Sequence, residues 1–369
     1  MKILVVIDSL GSGGAQRQKI NLAIGFSKKG YDVDIFTYYK NEFFKIEDDF
    51  NKVKLLYGNR YSFELNKGFS LGILFSLRKI ILNNGYDLII SSLHTPSIYA
   101  CFSKIGIKKG RLFICEESSS YAPVNKIKKF FFYISCILSD KVIANSYNEI
   151  DLMSRLPFLK NKLTPIWNGY FINDFNKNFN VKKLKKILIV GRVAYPKNGV
   201  NILLALVLFY KRNGWLPKIY WAGRMDNDKK SKIMQAKMHS ILNSHKFIRD
   251  NWEWLGEVKD IKNQYENSDL LLHASLYEGL PNVICEAMLS GLLVIASNVC
   301  DHPLLLGENY ERGILCNPNK PESICSSLEK ANSMEMDLKL KIIQDAHSFA
   351  LQNLNNDLMI ERFIKLIKN

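Results

Sequence analysis

Short apolar runs of strand length alternate with segments of helical spacing along this chain, and the alternation starts afresh at its middle. Lys2 to Ile7 reads as a first strand, then Gly11-Ser12-Gly13-Gly14 breaks it and a helix runs from Ala15 to about Lys29. Val33–Thr37, Asp87–Ser92, Leu112–Cys115 and Val142–Asn145 read as further strands, with helical spacing over Leu71–Leu82. The second series opens at Lys186–Gly191. It continues through a helix at Val200–Tyr210, a strand at Lys218–Trp221 and a helix at Ser231–Leu242. The strands Leu270–Ala274 and Leu293–Ala296 then flank a helix at Asn282–Leu289. Strands that are apolar on both faces and separated by helices make βαβ units and parallel sheets. At 369 residues the chain exceeds one ordinary core. It is therefore expected to be α/β, with a parallel sheet in each of two domains, at 1–169 and 186–350, a polar Asn- and Lys-rich linker at 170–185, and a terminal segment at 351–369.

Composition narrows the chemistry. No apolar run reaches spanning length, and Met1 to Asp8 ends in an acid without a cleavage-type segment, so it reads as a buried strand and not a signal peptide. The seven cysteines are scattered with no C-x-x-C pair, which argues for a reducing cytoplasmic setting and against a disulfide framework or a zinc site. A net charge of +16 calls for an anionic partner: nucleic acid, an anionic membrane surface or phosphate ligands. No nucleic-acid module is recognisable, so nucleic acid is not expected. Lys126-Ile127-Lys128-Lys129-Phe130-Phe131-Phe132-Tyr133 reads either as an interfacial helix or as a core helix with a basic outer turn.

The densest chemistry lies in Ser275-Leu276-Tyr277-Glu278-Gly279-Leu280-Pro281-Asn282, followed by Glu286-Ala287-Met288. A strand ends, Gly279 and Pro281 break it, and a helix begins. The helix start is suited to an anion. Glu278 lies before the helix and Glu286 is read as about two turns inside it, so a ligand seated there would meet a carboxylate at each end. Upstream, Gly191-Arg192 and Lys197 follow the strand at Lys186, where a guanidinium fork and an ammonium suit a diphosphate. Gly13 and Gly14 let backbone approach a ligand, yet the spacing is not that of a dinucleotide fold. With these cations at hand no metal is called for, and Asp226-Asn227-Asp228 reads as a loop apex.

These motifs resemble the retaining glycosyltransferases of family 4, whose fold is GT-B: two Rossmann-like domains facing across a cleft. The E-G-L-P segment with its second Glu carries the resemblance, together with the G-R-x-x-x-x-K loop, here with Asn198 inserted before Gly199. The resemblance implies metal-independent transfer of a hexose-type sugar from a nucleoside diphosphate sugar, a UDP-sugar, to a glycan hydroxyl, with no cofactor. It implies Arg192, Lys197 and Glu278 at the diphosphate and donor sugar, and Glu286 on the ribose. Gly13, Gly14, Gly191, Gly223, Gly279, Leu280 and Asn282 would line the donor site. The last helix of the family crosses back to the first domain, as Asp357–Lys368 would here. Many relatives modify lipid-linked acceptors in surface polysaccharide synthesis, which favours the interfacial reading of Lys126–Tyr133 and a place on the inner face of the cytoplasmic membrane.

Two departures stand out. Many relatives carry a His after the strand matching Leu112–Cys115, where this chain has Glu116-Glu117. Glu116 is expected to polarise the acceptor hydroxyl or orient the donor sugar, with Glu117 and His94 on the acceptor side. Where relatives continue with Gly-Gly and Pro-Glu, this chain has Val299-Cys300-Asp301-His302-Pro303, which makes Asp301 and His302 candidate sugar contacts. His273, inside an apolar strand, reads as a core residue. The rival readings are a nucleotide-sugar epimerase or phosphorylase of the same fold, and a non-catalytic binding subunit of a transferase.

Overall fold

A computed structural model describes residues 1–41, 43–44, 53–61, 69–175, 179 and 183–368. Parts of the expected linker, 176–178 and 180–182, lie outside the described residues. The chain divides into two compact units, Met1–Phe171 with Leu354–Asn369, and Ile172–Asn353.

Unit 1 begins β1 (Lys2–Val6), α1 (Gly14–Lys28), β2 (Asp32–Tyr39), β3 (Val53–Tyr61) and α2 (Leu71–Asn84). It continues β4 (Leu88–Ser92), α3 (His94–Lys104), β5 (Arg111–Glu116), α4 (Lys126–Leu138), β6 (Lys141–Ala144), α5 (Tyr147–Ser154) and β7 (Leu163–Pro165). Unit 2 runs β8 (Lys186–Val190), α6 (Gly199–Asn213), β9 (Lys218–Ala222), α7 (Lys229–Ser244), α8 (Lys246–Arg249) and β10 (Trp252–Gly256). After α9 (Ile261–Glu266) come β11 (Leu270–His273), α10 (Asn282–Leu289), β12 (Leu293–Ser297), α11 (His302–Leu306) and β13 (Ile314–Cys316). The helices α12 (Pro321–Ser333) and α13 (Met336–Asn353) close unit 2, and α14 (Asn356–Lys368) belongs to unit 1.

Among the described residues each unit holds one parallel sheet, in the order β3-β2-β1-β4-β5-β6-β7 and β10-β9-β8-β11-β12-β13. The central strands are Ile-, Leu- and Val-rich because both their faces are covered: Ile3 to Val6, Leu270 to Leu272 and Val294 to Ala296 are wholly buried. In each sheet the strand order reverses beside the first strand, and the loops after the C-terminal strand ends are where ligands bind in such folds. α14 packs on α1, and Gly25 is what lets it approach. A Cβ there would stand 2.5 Å from Asn356 Oδ1 and 2.6 Å from Ile360 Cγ1. Among the described residues, no helix is long and apolar enough to cross a membrane.

Candidate functional site

In unit 2 the site is built on the C-terminal ends of β8, β9 and β11. After β8, Gly191 adopts φ 138°, and after β9, Gly223 adopts φ 152°. The two turns abut so closely that a Cβ on Gly223 would meet the Gly191 carbonyl oxygen at 2.0 Å. Glycine is required at Gly223 both by its backbone and by this contact. Arg192 leaves the first turn with its side chain 57% exposed and paired to Asp226. Asp228, by contrast, caps α7 by accepting from Lys230 N and Ser231 N. The loop apex is therefore partly a partner for Arg192.

A single turn of 3₁₀ helix, Tyr195–Lys197, brings Lys197 back over the site. Asn198 follows at φ 58°, a left-handed position that Asn tolerates and most residues do not. Its amide also donates to Pro318 O at 2.5 Å, so the residue that departs from the G-R-x-x-x-x-K-G pattern has a local structural role. Lys197 forms an ion pair with Glu278. The same Glu278 oxygen accepts from Ser275 Oγ at 2.7 Å and lies 3.2 Å from His273 Nε2. Burial pushes this carboxyl up, but the Lys197 ammonium and the His273 hydrogen bond outweigh it and hold the group well below the usual carboxylate range. His273 is 2% exposed, so it is a core residue, yet its ring belongs to the Glu278 cluster.

Glu286 lies on α10, buried, and accepts from Tyr265 OH at 2.9 Å. The expectation that it stands two turns into the helix needs correcting. Pro281 is the N-cap and the helix begins at Asn282, so Glu286 is only just past the first turn. Gly279 and Leu280 form the loop before that cap, with Leu280 buried. Asp301 and His302, read as sugar contacts, are 1% and 0% exposed. Neither side chain reaches solvent: His302 Nδ1 donates to Ser297 O at 2.7 Å, and its ring packs against His273 at 5.6 Å between centroids. Burial and the His273 neighbour push the His302 pKa down to about 3, so the ring is neutral. Its Nε2 is buried without a hydrogen-bond partner.

In unit 1, Gly13 is the N-cap of α1 and Gly14 its first residue, with no acid in the first turn. A second cluster gathers at the end of β5. His94, the first residue of α3, has Nε2 3.0 Å from Glu116 Oε2. Glu117 pairs with Lys19 Nζ at 2.6 Å, and both side chains are buried. Burial works against the Lys19 ammonium, but Cys115 and Glu117 beside it leave it above its ordinary value. Glu149, on α5, accepts from Ser120 N at 2.9 Å and so ties down the loop after Glu117.

Of the expected residues, Lys197 and Glu278 are brought into contact, as are His94 and Glu116. Arg192 and Glu286 belong to the same unit as the first pair but bond to Asp226 and Tyr265 instead. Sequence reasoning missed Ser275, Asp226, Tyr265, Lys19 and Glu149. Ser275 stands three residues before Glu278, a spacing that permits the bond; Lys19 gives no signal, because a lysine on an amphipathic helix is ordinarily solvated.

The family model described as Glycosyltransferase Family 4 matches residues 12–172, and that described as Glycosyl transferases group 1 matches residues 184–332. Among curated proteins, the chain is 27% identical over 336 residues to a Campylobacter jejuni enzyme, covering 89% of this chain and 88% of that one. That enzyme is named GalNAc-alpha-(1->4)-GalNAc-alpha-(1->3)-diNAcBac-PP-undecaprenol alpha-1,4-N-acetyl-D-galactosaminyltransferase. The amylovoran biosynthesis glycosyltransferase AmsD of Erwinia amylovora is 28% identical over 306 residues, 80% of each chain. Among solved structures, Anabaena Alr3699/HepE in complex with UDP superposes with a TM-score of 0.80 at 17% identity, covering 100% of both chains. Sucrose-phosphate synthase of Thermosynechococcus elongatus gives 0.83 at 14% identity, covering 100% of this chain and 98% of that one. With a family 4 domain, a group 1 domain and the two parallel sheets of the GT-B fold, the chain belongs to the glycosyltransferases.

Proposed function

We propose that this glycosyltransferase moves a hexose-type sugar from a UDP-sugar to a hydroxyl of a lipid-linked glycan, with retention, in the assembly of a surface polysaccharide. The observation that carries this reading is the Lys197–Glu278–His273 cluster, with Arg192 beside it in the same unit, at the C-terminal strand ends of the group 1 domain. Unit 2 is the nucleotide-sugar domain and unit 1 the acceptor-side domain. Arg192 and Lys197 each already hold a carboxylate. A guanidinium has five donors and an ammonium three, so both can keep that partner and take a phosphate oxygen as well. The departing diphosphate is stabilised by these fixed cations and not by a metal. Glu286 holds the ribose hydroxyls and Glu278 the donor-sugar side. Asp301 and His302, being buried, shape the donor loop from beneath. Glu116 and His94 act on the acceptor side. The Campylobacter relative, whose name places a diphosphate-undecaprenol on its acceptor, and the Anabaena neighbour with UDP support the choice of substrates.

The basic and aromatic helix α4 rests on the inner face of the cytoplasmic membrane. Ile127 and Phe130 are 68% and 62% exposed beside Lys126, Lys128 and Lys129, as an interfacial helix requires. The test is UDP release from a panel of UDP-sugars, with and without lipid-diphosphate-linked glycans, under exhaustive chelation. Acceptor-stimulated release that survives chelation is expected. Release from no UDP-sugar, or rescue only by magnesium or manganese, would overturn the donor reading.

A further inference from the structure

Glu116 and Glu117 are consecutive at the end of β5, so their side chains leave on opposite faces of the sheet. On one face Glu116 Oε2 lies 3.0 Å from His94 Nε2. On the other, Ser92 Oγ donates to Glu117 Oε1 at 3.3 Å, and Lys19 Nζ stands 2.6 Å from the same oxygen. Ser92 and His94 are the two ends of the turn from β4 into α3, so one strand end grips that turn from both sides. The residue between them, Leu93, is held at φ 70°, a conformation costly for any residue but glycine and one that persists only where its surroundings over-determine it. Phe132 of α4 packs on the His94 ring, with centroids 4.2 Å apart. The imidazole is therefore fixed by a carboxylate, an aromatic ring and a strained backbone, yet its side chain keeps 13% of its surface open.

This arrangement also fixes the tautomer. Glu116 Oε1 already accepts from Ser118 N at 2.8 Å, and a carboxylate only accepts. The hydrogen of the ring lies on Nε2, and Nδ1 presents the lone pair. We propose that His94 Nδ1 accepts the hydrogen bond of the attacking acceptor hydroxyl, and that Glu116 is the positioning residue that fixes the ring for it. The Lys19–Glu117 pair anchors the far end of the same turn through Ser92. The inference rests on the glycosyltransferase reading above and assigns its acceptor side: the group that meets the hydroxyl is the imidazole, and the carboxylate acts through it.

The test measures transfer to acceptor and UDP release without acceptor, on the full chain, for His94→Ala, His94→Phe, Glu116→Gln and Glu116→Ala. His94→Phe keeps an aromatic ring against Phe132, and thermal melts check that each variant folds. Both His94 variants should lose about a hundredfold in acceptor-saturated transfer, the usual scale for one positioned proton-handling group, while acceptor-free UDP release falls less than about tenfold. Glu116→Gln, whose amide oxygen still accepts from Nε2–H, should keep transfer within about tenfold of the parent, and Glu116→Ala should lose as much as His94→Ala. The double variant His94→Ala, Glu116→Ala should lose no more than His94→Ala alone, because the two act as one unit. Parental transfer in folded His94 variants would overturn the proposal, as would a further large loss when Glu116→Ala is added to His94→Ala. Loss of acceptor-free UDP release in step with transfer would overturn the acceptor role while leaving the donor site standing.

Discussion

Lys197 and Glu278 are 81 residues apart in sequence and form one ion pair, with their side chains 20% and 19% exposed. The cation of the loop after β8 and the carboxylate of the E-G-L-P segment are thus a single unit. Each fixes the other before any ligand arrives.

The pair separates two variants that the sequence treats alike. Arg192→Ala and Lys197→Ala should each lower turnover about a hundredfold, the scale of losing one preorganised electrostatic contact. Only Lys197→Ala should also lower stability, by about 2 kcal/mol, because it strands a partly buried carboxylate. Arg192, at 57% exposure, should leave the melting temperature near parental. Kinetics and thermal melts on both variants check this; equal melting temperatures with full activity would remove both cations from the site.

Acid should destabilise unit 2 in two stages. His302 is neutral in the fold, with its pKa pushed to about 3 against 6.5 in the unfolded chain. Below pH 6.5 the unfolded state binds a proton that the fold refuses, so stability falls with pH until about 3. Glu278, held well below 4.5, stabilises the fold above that value and loses its contribution as pH falls further. The window from 6.5 to 4.5 therefore belongs to His302 and its neighbour His273, whose pKa burial also lowers. Urea titrations across this range should show a shallower slope for His302→Phe than for the parent, and identical slopes would refute the assignment.

Replacing Lys126, Lys128 and Lys129 with Gln should weaken binding to anionic liposomes by roughly two decades, at on the order of 1 kcal/mol for each lysine near the surface. Turnover on a short soluble acceptor should stay near parental. Co-sedimentation at low and physiological salt is the measurement, and unchanged binding at both would leave the +16 charge unexplained by α4.

Gly25→Ala should destabilise unit 1 even though alanine is the better helix former by about 1 kcal/mol. The added methyl would press on Asn356 and Ile360 of α14, and such overpacking costs about 1–3 kcal/mol. A raised urea midpoint would show that α14 is not seated on α1 as described.

The strands were legible where both faces are buried, because short apolar runs such as Ile187–Val190 have few other readings. β3 and β7 were not. β3 mixes Lys, Asn and Arg into an outer strand, and β7 is three residues long and contains Pro165. The candidate site was marked in the sequence by its glycines, cations and carboxylates, but its pairings were not legible there. Nothing local joins Lys197 to Glu278 or Lys19 to Glu117; the first contact exists only because parallel strands bring distant loops to one edge, and the second because α1 packs beside the end of β5. His273 sits in an apolar strand that makes a histidine look like packing, and only the fold shows it beside Glu278. His302 follows a polar Asp301 that makes it look like a ligand contact, and only the fold shows it buried.

The seating of α14 on α1 also sets an order of assembly during synthesis. Met359, Ile360 and Phe363 complete the core beneath α1, yet the polypeptide of unit 2, roughly 180 residues, must be translated before they emerge. At about 5–20 residues per second, the early half of the protein waits on the order of 10–40 s with that apolar face uncovered. Unit 2, continuous in the chain, can finish folding first. The half that leaves the ribosome first is thus the last to be sealed, and its exposed face in that interval is where chaperones would be expected to bind.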